Sequence, residues 1–185
     1  MSQVEMRGRV GMFCLICAEA AIFTIFVVAY VFYVGKSVAG PQPADVLHAP
    51  LFLTVCLLSS SVTVHAGVRA LTKGNVAGFA RWWLLTLTLG AVFLVGTALE
   101  WHRMIYVDGL TISTNLFGTT YFSLVGLHAF HVTAGLAALA LASILALLGY
   151  VTPLHASRTD VFSLYWHFVD AVWVVVFLVV YVAGR

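Results

Sequence analysis

Apolar runs, each about as long as the hydrocarbon core of a bilayer is thick, alternate along this chain with short polar connections. A spanning helix needs about 20 predominantly apolar residues, and five stretches meet that length: residues 10–34, 50–70, 82–101, 119–148 and 161–182. The fourth is longer than necessary, which predicts a tilted helix or one that protrudes into the headgroups. The breaks carry ordinary punctuation: Gly40-Pro41-Gln42-Pro43, Lys73-Gly74-Asn75, Asp108-Gly109, and the stretch 149–160 with Pro153. None is long enough to separate soluble domains. The pattern predicts an all-α, polytopic transmembrane bundle of five spanning helices, one membrane domain over residues 1–185. The first run is too long for the apolar region of a signal peptide and lacks a clear cleavage pattern, so it is expected to be retained.

Composition agrees. The 185 residues are 62% hydrophobic and 9% charged, with a mean hydropathy of +1.04, whereas soluble domains carry about 25% charged residues. A net charge of +2 gives no reason to expect nucleic acid. Aromatic residues recur near the run ends (Tyr30, Phe32 and Tyr33; Trp82 and Trp83; Trp101 and Tyr106; Tyr165 and Trp166), where ring bodies sit at headgroup level. Arg7, Arg9, Arg69, Lys73, Arg81 and Arg158 fall on one side, against Lys36, Arg103 and Arg185 on the other. That bias predicts the N-terminus inside and, with five spans, the C-terminus outside. Cys14, Cys17 and Cys56 lie in apolar runs and read as small buried hydrophobes.

The chemistry lies in polar residues placed among apolar ones. Glu19 is nine residues into the first run, about 13 Å along a helix axis. A charge there costs from about 2.5 kcal/mol upward, so the group is expected to be protonated, paired, or facing protein or water. It reads equally as a carboxylic acid bonded to a neighbouring helix and as a proton-linked or subunit-contact acid. His128 and His131 share one face of the fourth helix, and His167 and Asp170 repeat that i, i+3 spacing on the fifth. A carboxylate beside an imidazole orients the ring and fixes its tautomer. Glu100 and His102 end the third run near the interface, where a solvated or capping role is expected. A di-iron bundle needs Glu-x-x-His on two helices and two further glutamates. Here Glu100 is the one glutamate in the last three runs and Glu-x-x-His does not occur. The spacing therefore points away from a metal site and toward an interhelical polar network. Ser59-Ser60-Ser61 with Thr63, and Gly118-Thr119-Thr120, offer hydroxyls to neighbouring helices, and Gly126 and Gly135 would let backbones approach.

These residues, taken in order, resemble subunit III of the haem–copper respiratory oxidases, over about residues 9–184. Tyr165-Trp166-His167-Phe168-Val169-Asp170-Ala171-Val172-Trp173 is similar to that family's Tyr-Trp-His-Phe-Val-Asp-x-Val-Trp. Gly126-Leu127-His128-Ala129-Phe130-His131-Val132 resembles Gly-Phe-His-Gly-x-His-Val, and Leu57-Leu58-Ser59-Ser60-Ser61-Val62-Thr63 resembles Leu-Leu-Ser-Ser-Gly-Val-Thr. Gly90, Phe93 and Glu100 keep the spacing of Gly-x-x-Phe-x-x-x-Gln-x-x-Glu-Tyr, and Ala18-Glu19 matches Ser-Glu. Ile112-Ser113 and Gly118-Thr119-Thr120-Tyr121-Phe122 follow Ile-Ser-Asp and Tyr-Gly-Ser-Thr-Phe-Phe. The chain departs from the pattern at Thr97 (usually Gln), Thr114 (usually Asp) and Ala18 (usually Ser). It also lacks the first two helices of the seven-helix form, as the five-helix bacterial versions do.

The resemblance implies a non-catalytic subunit of a proton-pumping oxidase in aerobic electron transport, with no redox centre of its own and with haem and copper in partner subunits. It implies packing against subunit I, contact with other subunits including subunit II, bound phospholipid, and a bacterial inner membrane. Electrons would come from cytochrome c or quinol. Glu19, His128, His131, His167 and Asp170 are the expected intramembrane polar, proton-linked or subunit-contact set, and Glu100 and His102 are secondary. Other readings remain: a subunit III-like accessory protein of a nitric oxide reductase, a stand-alone membrane haem or metal redox protein, and a small proton-coupled transporter.

Overall fold

The computed structural model of the protein describes residues 3–152 and 156–184. Pro153 and Arg185, and the side chain of Arg158, lie outside the described residues. Among the described residues six α-helices follow one another: α1 (Gln3–Tyr33), a single turn α2 (Pro43–Val46), α3 (Leu51–Thr72), α4 (Val76–Tyr106), α5 (Leu116–Leu147) and α6 (Ala156–Phe177). The last continues as a π-helical segment, Leu178–Ala183. Among the described residues there is no strand, and five helices are long and apolar enough to cross a membrane.

The helices outrun the apolar stretches that announce them because their ends are set by caps rather than by hydropathy. Asn75 and Asn115 accept from the backbone N–H of Gly78 and Gly118, at 2.7 and 2.8 Å, and so open α4 and α5. Gly74 (φ +79°) and Gly149 (φ +82°) take the left-handed conformation that ends α3 and α5. α4 also runs on past Glu100 and His102 to Tyr106.

α3 pairs most extensively with α4; α4 packs on α5, α5 on α6, and α6 returns to α3. These four form a closed ring, and α1 lies outside it against α5 and α6. Of the eighteen most apolar consecutive residues of α1 only 6% are buried, against 39% in α3, α5 and α6. That placement corrects one expectation: Cys14 and Cys17 are exposed on α1, and only Cys56 is buried.

Three indoles key the ring together. Trp166 is fully buried; its Nε1 donates to Ser60 Oγ of α3 at 2.8 Å. Its ring occupies the space left by Gly135 of α5 and Gly90 of α4, where an added Cβ would stand 2.9 and 3.1 Å from ring carbons. The bulk missing at Gly135 therefore admits an indole rather than a backbone. Trp173 Nε1 donates to Thr54 Oγ1 at 3.1 Å, and Trp83 Nε1 to the Val64 carbonyl at 3.2 Å. Thr63 and Thr86 bond hydroxyl to hydroxyl at 2.7 Å across α3 and α4. Thr119 and Thr120 bond back to carbonyls of Ile112, Asn115, Leu116 and Phe117 rather than to another helix. Each interhelical bond is worth on the order of 1 kcal/mol in a membrane, so the packing around the indoles sets the arrangement.

Candidate functional site

The polar residues singled out in the sequence form three separate arrangements, each placed by a different helix contact. The first joins α1 to α5. His131 Nδ1 lies 2.8 Å from the Leu127 carbonyl one turn back, and Nε2 lies 3.0 Å from Glu19 Oε2. A carbonyl can only accept, so Nδ1 carries a hydrogen. The contact at Nε2 then holds one proton, either on Glu19 facing a neutral ring or on an imidazolium facing a carboxylate. Both forms are net neutral, which is what hydrocarbon tolerates. The His131 side chain is 7% exposed and that of Glu19 23%. Phe23 covers the imidazole at 4.9 Å between centroids, and Tyr165 donates to the His131 carbonyl at 3.3 Å.

The second arrangement is aromatic. His128, one turn before His131, is fully buried and stacks on Trp173 (4.9 Å, 28°), with Phe93 at 5.8 Å and Phe23 at 6.4 Å edge-on. Neither of its nitrogens has a hydrogen-bond partner among the described residues. The shared face thus divides: His131 meets a carboxylate and His128 meets rings.

The third joins α6 to α3. His167 and Asp170 do not bond to each other directly. Ser61 of α3 stands between them, donating to Asp170 Oδ2 and lying 2.9 Å from His167 Nδ1. Ser163 Oγ lies 3.2 Å from His167 Nε2. Asp170 is 3% exposed, and its Oδ1 has no partner among the described residues. His167 and Ser163 also line a cleft of about 490 Å³ between α1, α3 and α6, with Arg9, Val10, Phe13, His65, Asp160, Val161 and Leu164. Arg9 and Asp160 form an ion pair at its mouth.

Glu100 and His102 stand apart from these. Glu100 is half-buried inside α4 with Oε1 enclosed, and His102 is exposed with its ring 4.6 Å from that of Tyr106. Tyr30, expected at headgroup level, is instead buried, as are Tyr121 and Tyr181, whose hydroxyls are 3.2 Å apart. Ser61 was visible only as one hydroxyl among several, although it occupies the place where the quoted motif has glycine. Tyrosines at span ends look like interface anchors, and nothing in their spacing distinguishes buried ones.

Among the described residues no three His, Cys, Asp or Glu side chains come together as a metal-binding group. Of the histidines singled out within the spans, His131 and His167 are engaged through both nitrogens, and His128 is enclosed by rings.

A multi-pass helical membrane protein with paired acids and imidazoles inside its spans is the class that this fold and site define. The sequence profile described as cytochrome c oxidase subunit III matches residues 2–185, and the chain belongs to that family. It is 44% identical over 135 residues to the cytochrome c oxidase subunit 3 of Corynebacterium diphtheriae, covering 71% of this chain and 63% of the relative. The probable cytochrome c oxidase subunit 3 of Nocardia farcinica is 36% identical over 142 residues, 76% of this chain and 70% of the relative. For the cytochrome c oxidase subunit 3 of Synechocystis sp. the values are 35% over 179 residues, 92% and 73%. The chain thus spans roughly two thirds of the length of these relatives, and less than that of the first.

Proposed function

We propose that this chain is the non-catalytic subunit III of a proton-pumping haem–copper oxidase. It would sit in a bacterial inner membrane as a single membrane domain, with its N-terminus inside and C-terminus outside. Subunit I is its main contact, and subunit II is among its other partners. Haem and copper reside in those partners and supply the electron transfer to oxygen. This chain contributes packing, bound lipid and support of proton uptake. The observation that carries the reading is the family match over residues 2–185.

The geometry supports two parts of it. The Glu19–His131 pair holds the outlying α1 to the ring by a net-neutral contact, a registry device compatible with a fixed docking surface. The cleft between α1, α3 and α6 suits a phospholipid: Val10, Phe13, Val161 and Leu164 offer acyl contacts, and the Arg9–Asp160 ion pair a polar end for a headgroup.

Purification from native membranes in a mild detergent, followed by mass spectrometry, tests the assignment. Co-purification with a large haem–copper subunit is expected. Recovery of this chain alone, under conditions where other respiratory complexes stay intact, would overturn it. The role of Glu19 is tested by Glu19→Gln: unchanged assembly and turnover lifetime would remove any special function from that acid.

A further inference from the structure

The third polar arrangement is a continuous hydrogen-bonded path with one open and one closed end. It starts at Ser163, which lines the cleft, passes through both nitrogens of His167 to Ser61, and ends on Asp170. Along α6 the distance from Ser163 to Asp170 is about 10 Å. The closed end is a buried carboxyl group with one oxygen unpartnered among the described residues.

Such a path conducts protons only if every bond can reverse its polarity, and these can. With Asp170 as carboxylate, Ser61 donates to Oδ2, His167 Nδ1–H donates to Ser61, and Nε2 accepts from Ser163. A proton from water at the Arg9–Asp160 end of the cleft, beside a lipid headgroup, binds Ser163 Oγ as the Ser163 proton passes to Nε2. The Nδ1 proton then moves to Ser61 Oγ, and the former Ser61 proton moves to Asp170 Oδ2. In the product the carboxylic acid donates to Ser61, Ser61 donates to Nδ1, and Nε2–H donates to Ser163. One proton has been gained, one negative charge has been neutralised, and all three hydrogen bonds persist. Release runs the same steps backward.

The geometry points to a proton-binding site at Asp170 that is loaded and emptied from the α1/α3/α6 cleft through His167 and Ser61. It is a reservoir rather than a channel. The Glu19–His131 pair is of the opposite kind, since His131 Nδ1 ends on a backbone carbonyl that cannot relay a proton. Charged and titratable neighbours flank the path on each packed element. On α1 these are Arg9, paired with Asp160 of α6, and Glu19, paired with His131 of α5. His65 of α3 has its ring 6.4 Å from that of His167, and His128 of α5 stacks on Trp173.

The test is infrared difference spectroscopy of the full chain in its native assembly. The Asp170 band is the carboxylic-acid C=O stretch missing from Asp170→Asn. It is expected to grow as pH falls and to shift promptly on transfer to D₂O. Ser61→Ala is expected to slow that exchange by about 100-fold, the low end for removing a positioned proton-transfer group, and Ser61→Thr to restore it. If Ser61→Ala does not assemble, His167→Gln carries the same expectation. Absence of any Asp170 carboxylic-acid band across the stable pH range would overturn the inference. So would exchange at the wild-type rate in either variant.

Discussion

Two histidine-bearing networks in this protein start from the same sequence device, a pair of polar residues three apart on a helix, and end differently. On α5 the pair splits, with His131 closed on Glu19 of α1 and His128 stacked on Trp173. On α6 the pair is joined through Ser61 of α3, and it opens onto the cleft. The difference lies in what the neighbouring helix presents. α1 is an outlier that meets α5 with a long acidic side chain able to reach the ring directly. α3 belongs to the ring of four helices, close enough for a short serine hydroxyl to reach both members of the α6 pair. The side chain that the neighbouring helix presents decides whether two polar groups meet directly, through a third residue, or not at all.

The largest disruption of this contrast should come from the wedge that sets the α5–α6 distance. Gly135→Val places a side chain against the Trp166 ring, and overpacking of that kind costs about 3 kcal/mol. Thermal unfolding in detergent should fall sharply, and both networks should be lost together. Ser61→Ala should be next, at about 1.5 kcal/mol, since it removes two bonds and leaves the buried Asp170 without its donor. Glu19→Leu removes one bond and should cost about 0.6 kcal/mol, close to the mean for a membrane hydrogen bond. A larger loss for Glu19→Leu than for Ser61→Ala, measured by the same unfolding assay, would show that the closed pair is the stronger of the two. His128→Leu should be nearly neutral, within about 0.5 kcal/mol, because it removes an imidazole with no hydrogen-bond partner among the described residues. A marked destabilisation there would mean that the stacking on Trp173 outweighs the two unpaired nitrogens.

The hydropathy pattern made five spans legible, and several helices extend past the apolar runs, α4 the most. Apolar runs mark where a helix is buried in lipid, whereas its termini depend on Asn75, Asn115, Gly74 and Gly149, which hydropathy does not weigh. Glu19, His128, His131, His167 and Asp170 could each be picked out as a polar residue in apolar surroundings. Their partners could not, because a bond from residue 19 to 131, or from 61 to 167 and 170, depends on which helices are neighbours. Cys14 and Cys17 illustrate the same limit. An apolar run shows that a residue avoids water but not whether it faces lipid or protein, and α1 faces mostly lipid.

The sequence by itself determined what is set by solvent and by local chemistry. The number of spanning helices follows from apolar length, and the helix-bounding punctuation from glycine, proline and asparagine. Membership of the family follows from motifs in a fixed order, which the profile over residues 2–185 establishes. The tertiary structure decided what depends on distance between helices: the ring of α3 to α6 with α1 outside it, the indoles seated on Gly90 and Gly135, and the fate of each imidazole. The physical reason is that hydrophobic transfer is additive along a chain and can be read residue by residue. A hydrogen bond has a reach of about 3 Å, and only the packed bundle brings groups a hundred residues apart within it.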